Sequence, residues 1–171
     1  MSQVKKLTIS AVCLALCLVL PFFIGQIPQL GQMLSPMHIP VLLCGFLVGA
    51  PYGAVVGFIA PILRYALFHM PPMPNGLSMA FELAAYGFLT GYLYRRLPKT
   101  MSMVYVSLVL AMLGGRIIWG LASFVILGVT GGAFTLSLFF AGAFLNAVPA
   151  IILHILIVPP LFRILKKSLD K

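Results

Sequence analysis

Three charged side chains lie inside long apolar segments of this sequence: Arg64, Glu82 and Arg116. On insertion scales, each charge at the centre of a membrane helix costs about 2.5 to 3.5 kcal/mol. Such residues are therefore paired with one another, hydrated in a cavity, or used for function. Because arginine binds carboxylates and glutamate binds amines, this set predicts recognition of a small polar molecule.

Aromatic and amide side chains accompany these charges. Tyr86 follows Glu82 by one helical turn, and Trp119 follows Arg116 by three residues, so each charge has an aromatic neighbour on its own helix. Arg116 beside Trp119 gives a cation next to an aromatic plane. Asn146 adds an amide from a further segment. Together these residues fit a ligand that has a ring or a carboxylate.

Some of these polar residues have structural alternatives. Arg64 and Glu82 could form a buried ion pair that joins two helices without touching a ligand. His38 stands in S-P-M-H-I-P, where the chain enters its second apolar segment, and we expect it in a loop that covers the pocket. His154 lies deeper and is expected to be a packing residue. No spacing typical of zinc ligands supports a metal site at either histidine.

The composition is that of a membrane protein. The chain has 171 residues, of which 62% are hydrophobic and 8% charged, and its mean hydropathy is +1.14. A soluble domain needs roughly a quarter of its residues charged to cover its surface. The apolar runs are continuous rather than alternating in polarity, which excludes a transmembrane barrel and predicts an all-α membrane bundle.

The apolar segments predict six transmembrane helices in a single domain that comprises residues 1–171. The spans are expected at residues 7–25, 36–48, 51–68, 77–94, 101–127 and 134–165. The proline-rich stretch at residues 70–76 and the glycine-rich stretch at 128–132 separate spans, because neither composition continues a helix. The second segment is short for a complete crossing.

The basic residues are placed as topology signals, although the formal net charge is +9. Nine of the eleven lie at the edges of apolar segments, near the two termini and at residues 95–99. With six spans these groups fall on one face, which the positive-inside rule makes cytoplasmic. We therefore expect a multi-pass protein of the cell membrane with both termini in the cytoplasm and no nucleic-acid partner. The polar residues Arg64, Glu82, Arg116 and Asn146 then lie at similar depth, in a pocket open to the exterior.

Small residues recur at four-residue spacing on several segments. The series are Gly45, Gly49, Gly53 and Gly57 in one region, Gly87 and Gly91 in another, and Ala11 and Ala15 near the start. In lipid, bare backbone of this kind lets helices approach closely, so internal packing is the expected role. A tight turn near residues 49–52 would interrupt the first series.

Sequence signatures of catalysis are missing. There is no H-E-x-x-H, no G-x-S-x-G and no pair of intramembrane carboxylates, so zinc proteolysis, serine hydrolysis and two-carboxylate catalysis all lack their residues. We expect a protein that is not an enzyme. Because no Walker A sequence is present either, ATP-driven work would be done by another protein.

Longer stretches of the sequence resemble one family. They are Q-M-L-S-P-M-H-I-P-V-L-L-C-G (residues 32–45), P-I-L-R (61–64), M-A-F-E-L-A-A-Y-G (79–87), G-R-I-I-W-G (115–120) and A-G-A-F-L-N-A-V-P (141–149). With the six short spans and the pair Ala11-x-x-x-Ala15, they resemble the substrate-binding S components of energy-coupling factor (ECF) transporters. The similarity covers nearly the whole chain.

The resemblance implies a membrane subunit that captures a water-soluble vitamin or vitamin precursor and needs no cofactor. Its partners would be the surrounding lipid bilayer, a transmembrane coupling protein and two ATP-binding subunits that hydrolyse the ATP. Members are thought to topple within the membrane and carry the occupied pocket inward. By this analogy Ala11 and Ala15 match the alanine motif that packs on the coupling protein, since small side chains allow a close and reversible contact.

Two kinds of ligand fit the charged residues. If Arg64 and Glu82 neutralise each other, Arg116 is left for an anion such as the carboxylate of pantothenate. If they do not pair, Glu82 could meet an amine, as in pyridoxamine or a pyrimidine precursor of thiamine. Two positive charges against one negative charge favour an acidic or zwitterionic vitamin.

Two other classes of protein compete with solute capture. A stand-alone secondary carrier or channel for a small polar solute would use Glu82 as its proton site, although the sequence shows no clear inverted repeat. A scaffold that only assembles other membrane proteins would use Glu82 and Arg116 for stability alone.

Overall fold

The computed structural model describes residues 1–24, 34–129, 131–132 and 135–169, and these residues form helices and connections without any strand. The first helix, α1, comprises Gln3–Val19 and continues as a 3-10 helix at Leu20–Ile24. The later helices are α2 (His38–Val48), α3 (Ala50–Phe68), α4 (Asn75–Arg96), α5 (Met101–Val129), α6 (Leu136–Phe140) and α7 (Val148–Leu169). The predicted all-α fold class is confirmed.

Within the described ranges, four helical stretches are long and apolar enough to cross a membrane. They are Gln3–Phe23, Ala50–Phe68, Met101–Val129 and Leu136–Leu169. The apolar helix α2 has only 11 residues, about 16 Å at 1.5 Å per residue, against a hydrocarbon core of about 30 Å. The helix α4 has 22 residues and is more polar, since it carries Glu82 and ends on two arginines. The chain is therefore a helical membrane protein.

Two of the predicted breaks are found, and one predicted span is divided. Gly49 separates α2 from α3 with φ +120°, a conformation that favours glycine. The proline-rich stretch separates Phe68 from Asn75 and contains cis peptide bonds before Pro71 and Pro74. The last predicted span corresponds to the helical stretch Leu136–Leu169, in which a π-helical segment at Ala141–Leu145 and a turn at residues 146–147 lie between α6 and α7. Residues 26–35, which connect the first two predicted spans, lie mostly outside the described residues.

Glycines bring the backbones of α3 and α4 into direct contact. A methyl group on Gly53 of α3 would lie 2.5 Å from the carbonyl oxygen of Gly87 on α4, and one on Gly87 would lie 2.2 Å from the carbonyl oxygen of Gly53. A methyl group on Gly91 would lie 2.2 Å from the backbone nitrogen of Ala50. No larger side chain fits at these positions, which confirms internal helix packing as their role. The helix α4 also packs extensively on α5.

The two ends of the described chain meet at one end of the bundle. The Nζ of Lys5 donates a hydrogen bond of 2.6 Å to the carbonyl oxygen of Leu169. The Nζ of Lys166 donates to the hydroxyl of Tyr94, close to the last residue of α4. The basic residues of α1, of the connection from α4 to α5 and of α7 therefore share one end of the bundle.

We expect Gly87→Leu to destabilise the purified protein, because a side chain at this position displaces the backbone of α3. Overpacking costs about 1 to 3 kcal/mol, and occasionally more. The measurement is the thermal unfolding midpoint in detergent. The control is Gly128→Ala, where nothing lies within 4 Å, and it should leave the midpoint unchanged or raise it. Equal losses in the two variants would contradict a close contact at Gly87.

Candidate functional site

Glu82 of α4 lies at the centre of a buried set of polar side chains. Its Oε1 lies 3.0 Å from Nη1 of Arg116 on α5 and 3.7 Å from Nε2 of His38 at the start of α2. Glu82 and His38 are each 3% exposed, and Arg116 is 8% exposed. Three helices that are distant in sequence therefore bring a carboxylate, a guanidinium and an imidazole together.

Aromatic rings surround this ion pair. Tyr86, one turn after Glu82, is fully buried, and the His38 ring packs edge-on against it at 5.3 Å between ring centres. The His154 ring of α7 stacks on the His38 ring, with 5.7 Å between the ring centres and 19° between the ring planes. We call His38, Glu82, Tyr86, Arg116 and His154 the Glu82 cluster.

Small and strained residues hold these side chains in place. Gly115 of α5 makes room for Tyr86, since a methyl group there would lie 2.0 Å from the Tyr86 ring. Ser35 has φ +44°, which is uncommon for a residue with a side chain. Its carbonyl oxygen accepts a hydrogen bond of 3.1 Å from the backbone nitrogen of His38 and lies 3.3 Å from Nε2 of His154. The Ser35 carbonyl thus fixes both histidines relative to each other.

The Glu82 cluster contains an unusual number of polar atoms without hydrogen bonds. Among the described residues, buried atoms of this kind are Nδ1 and Nε2 of His38, the hydroxyl oxygen of Tyr86 and Nε of Arg116, while Oε1 of Glu82 has only its ion-pair contacts with Arg116 and His38. Each such atom costs about 1 to 3 kcal/mol, and folded proteins contain few of them. Their concentration in one cluster indicates a place where a polar ligand would supply the missing partners.

The Glu82 cluster lies nearer to the end of the bundle opposite the termini. Along α4, Glu82 is about 10 Å from Asn75 and about 21 Å from Arg96 at the helical rise per residue. Arg96 belongs to the end where the basic residues gather. The cluster is therefore displaced toward the other end of the bundle.

Arg64 is not part of the Glu82 cluster. Its Nη1 donates to the carbonyl oxygen of Leu18 near the end of α1, and its guanidinium lies over the rings of Phe22 and Phe68 at 4.9 Å and 5.3 Å. A helix C-terminus and aromatic faces both stabilise a cation. In the described part of the chain Glu82 pairs with Arg116 and His38, so the alternative of a buried pair between Arg64 and Glu82 is wrong.

Two other predicted site residues have different surroundings. Trp119 of α5 is half-buried and stacks on Phe139 of α6 at 6.4 Å, with Gly142 against its ring. Asn146 lies in the turn before α7 and is exposed. The structure thus brings Glu82 and Arg116 together with the predicted Tyr86 and His38, without placing Asn146 in the buried interior.

Two histidines lie in surroundings that the sequence did not predict. His38 is the first residue of α2 and is buried, not part of a covering loop. His154 was expected only to pack, yet it stacks on His38 inside the cluster. The sequence feature that could have indicated a site role for His154 is that it is an isolated polar residue in a long apolar segment. No group of three potential metal ligands occurs among the residues that the structure describes.

Ala11 and Ala15 lie on the outer face of α1. Both are exposed, whereas Ser10, Cys13 and Cys17 are buried against the bundle on the other face. The small side chains leave a shallow strip of backbone on the surface, flanked by exposed Leu7 and Val12 among other apolar residues. This strip is available to another apolar helix.

The comparisons with known proteins identify the family of the chain. The family model described as ECF transporter, substrate-specific component, matches residues 5–162. The chain belongs to this family, which comprises transporter components rather than enzymes. It captures a small-molecule substrate for uptake that depends on an energy-coupling factor module, and it associates with that module. A search of curated proteins gives no match, and a search of solved structures gives none either.

We expect Arg116→Met alone to destabilise the protein strongly, because it leaves Glu82 buried without its main partner. Removing one member of a buried ion pair costs about 3 to 5 kcal/mol. The double variant Glu82→Met with Arg116→Met should recover part of this loss, since no uncompensated charge remains. The unfolding midpoints of the wild type, both single variants and the double variant measure the coupling. Simple addition of the two single losses would show that the pair is not coupled.

Proposed function

We propose that this chain captures a water-soluble vitamin or vitamin precursor at the Glu82 cluster. It then delivers the ligand to an ECF module made of a transmembrane coupling protein and two ATP-binding subunits that hydrolyse the ATP. On this proposal residues 1–171 act as one domain that needs no cofactor of its own. The observation that supports it most is the set of buried polar atoms without hydrogen bonds, which among the described residues all belong to the Glu82 cluster.

The charge balance of the cluster bears on the ligand. The preference for an acidic vitamin depended on two cations, Arg64 and Arg116, facing one carboxylate. Arg64 instead contacts Leu18 and two phenylalanine rings, which leaves Arg116 already paired with Glu82. A free carboxylate would have to compete with Glu82 for Arg116 in a buried site. A ligand amine can bind Glu82 without displacing Arg116, because a carboxylate has two oxygens with about four acceptor positions.

The rings of the cluster favour a planar ligand. His38 stacks on His154 and meets Tyr86 edge-on, so aromatic surfaces lie directly beside the ion pair. A heterocyclic ring can pack against such surfaces, whereas an acyclic chain such as pantothenate gains less from them. We therefore propose an amino-substituted ring, as in pyridoxamine or a pyrimidine precursor of thiamine, with pantothenate as the alternative.

The outer face of α1 and the basic end of the bundle support the remaining parts of the proposal. Ala11 and Ala15 are exposed and would let a helix of the coupling protein approach closely. The basic residues of α1, α4 and α7 share one end of the bundle, and the positive-inside rule makes that end cytoplasmic. The Glu82 cluster is displaced toward the opposite, external surface.

Ligand-induced stabilisation of the purified full-length chain tests the substrate class. The probes are pyridoxamine, the aminopyrimidine precursor of thiamine and pantothenate, each added alone. A ligand present at one hundred times its dissociation constant stabilises the protein by about 2.7 kcal/mol, so the unfolding midpoint should rise by several degrees. We expect one of the two ring amines to produce this rise.

Matched variants on one helix show where the ligand acts. Glu82→Gln should abolish the rise, because an amide does not attract an amine as a carboxylate does. Arg96→Gln removes an exposed charge at the far end of α4 and should leave the rise intact. A response to pantothenate alone would reverse the choice of ligand. No response to any of the three would contradict the proposed substrate class.

Uptake measurements separate the transport mechanisms. In cells that produce this chain with an ECF module, inactivating both ATP-binding subunits should abolish accumulation of the ligand. The control is the same module with intact ATP-binding subunits. Uptake that persists with inactive ATP-binding subunits and collapses with a protonophore would favour the stand-alone carrier instead.

A further inference from the structure

A basic groove lies at the end of the bundle where the two termini meet. It has a volume of about 460 Å³ between the end of α4, the start of α5 and the last turns of α7. Its lining combines cations with apolar and aromatic side chains. The lining residues are Tyr94, Lys99, Met101, Val104, Phe162, Arg163, Lys166 and Lys167.

Two ammonium groups share one aromatic ring in this groove. The Nζ of Lys99 lies 4.2 Å from the centre of the Tyr94 ring, and the Nζ of Lys166 lies 5.0 Å from it. Lys166 also donates to the Tyr94 hydroxyl, and Lys99 donates to the Tyr94 carbonyl oxygen. Cation–π contacts of this kind compensate only part of the repulsion between two like charges.

The electrostatics of the groove favour an added anion. Desolvation, and then the charges of the neighbouring Lys166 and Arg95, lower the pKa of Lys99 below its usual value, although its side chain is exposed. The chain has two acidic residues, of which Glu82 is held in its own cluster and Asp170 lies outside the described residues. Four basic side chains line the groove. A ligand with a negative charge would relieve their mutual repulsion.

The apolar part of the groove specifies an amphiphile rather than a simple anion. Val104 and Phe162 are buried in the largest apolar cluster of the bundle, and Met101 packs against that cluster. The next exposed large apolar residues along α5 are Tyr105, Val106 and Val109. A headgroup held by the lysines would therefore have its acyl chains beside an apolar helix surface at the membrane boundary.

We propose that this groove binds the headgroup of an anionic phospholipid, with Lys99 and Lys166 on its phosphate and Tyr94 beneath them. Arg163 and Lys167 extend the positive surface around the headgroup. The lipid links α4, α5 and α7 at the end of the bundle that carries the termini. This site is separate from the Glu82 cluster, so its occupancy does not depend on the captured solute.

Lipid retention by the delipidated full-length chain tests this site. Native mass spectrometry in detergent would compare phosphatidylglycerol with phosphatidylcholine of the same acyl chains. We expect one phosphatidylglycerol to be retained per chain and phosphatidylcholine to be retained much more weakly. The double variant Lys99→Gln with Lys166→Gln should weaken phosphatidylglycerol binding roughly 30-fold, from the contribution of two basic side chains near an anionic headgroup.

A control variant at the same end of the bundle separates a site from general charge attraction. Lys5→Gln with Lys6→Gln removes the same charge from α1, and it should change phosphatidylglycerol retention less than twofold. Equal losses in the two double variants would overturn the proposal. Binding of glycerol 1-phosphate as tight as that of phosphatidylglycerol would also overturn it, since the groove would then be a site for a free phosphate. Retention of phosphatidylcholine equal to that of phosphatidylglycerol would do the same.

Discussion

The contact between the Glu82 carboxylate and the Arg116 guanidinium is the constraint on which the rest of the structure depends. These two groups lie 3.0 Å apart and almost completely out of solvent. Neither charge is tolerable alone at this depth, because an unpaired buried charge costs several kcal/mol. The helices α4 and α5 must therefore meet in one register, and Gly115 beside Arg116 provides the room for Tyr86 that this register requires.

The glycines of α3 and α4 fix the face of α4 that lies opposite α5. Gly53, Gly57, Gly87 and Gly91 let the two backbones touch, so α4 is fixed on one face by α3 while its other face presents Glu82 to α5. Lipid gives no hydrophobic force between apolar helices, and close packing takes its place. Backbone thus packs directly on backbone between α3 and α4, while the unsatisfied buried polar atoms of the described residues belong to the Glu82 cluster.

The sequence was sufficient for the architecture and for part of the site. Apolar length and basic flanks predicted the helices, and the cost of intramembrane charge singled out Glu82 and Arg116. It did not predict which arginine pairs with Glu82, because position along a helix gives depth but not the direction in which the side chain points. Arg64 points toward Leu18, and His154 points toward His38, only through the packing of helices far apart in sequence.

The backbone contact between α3 and α4 has a consequence for how a captured solute leaves. From Glu82 the distance to one end of α4 is about half the distance to the other. Along the longer way, Gly87 and Gly91 of α4 pack directly against backbone atoms of Gly53 and Ala50 of α3. For a solute to leave between α3 and α4, these two closely packed helices would have to separate. Reorienting the whole subunit, or opening it on the α5 and α7 side, leaves this contact intact.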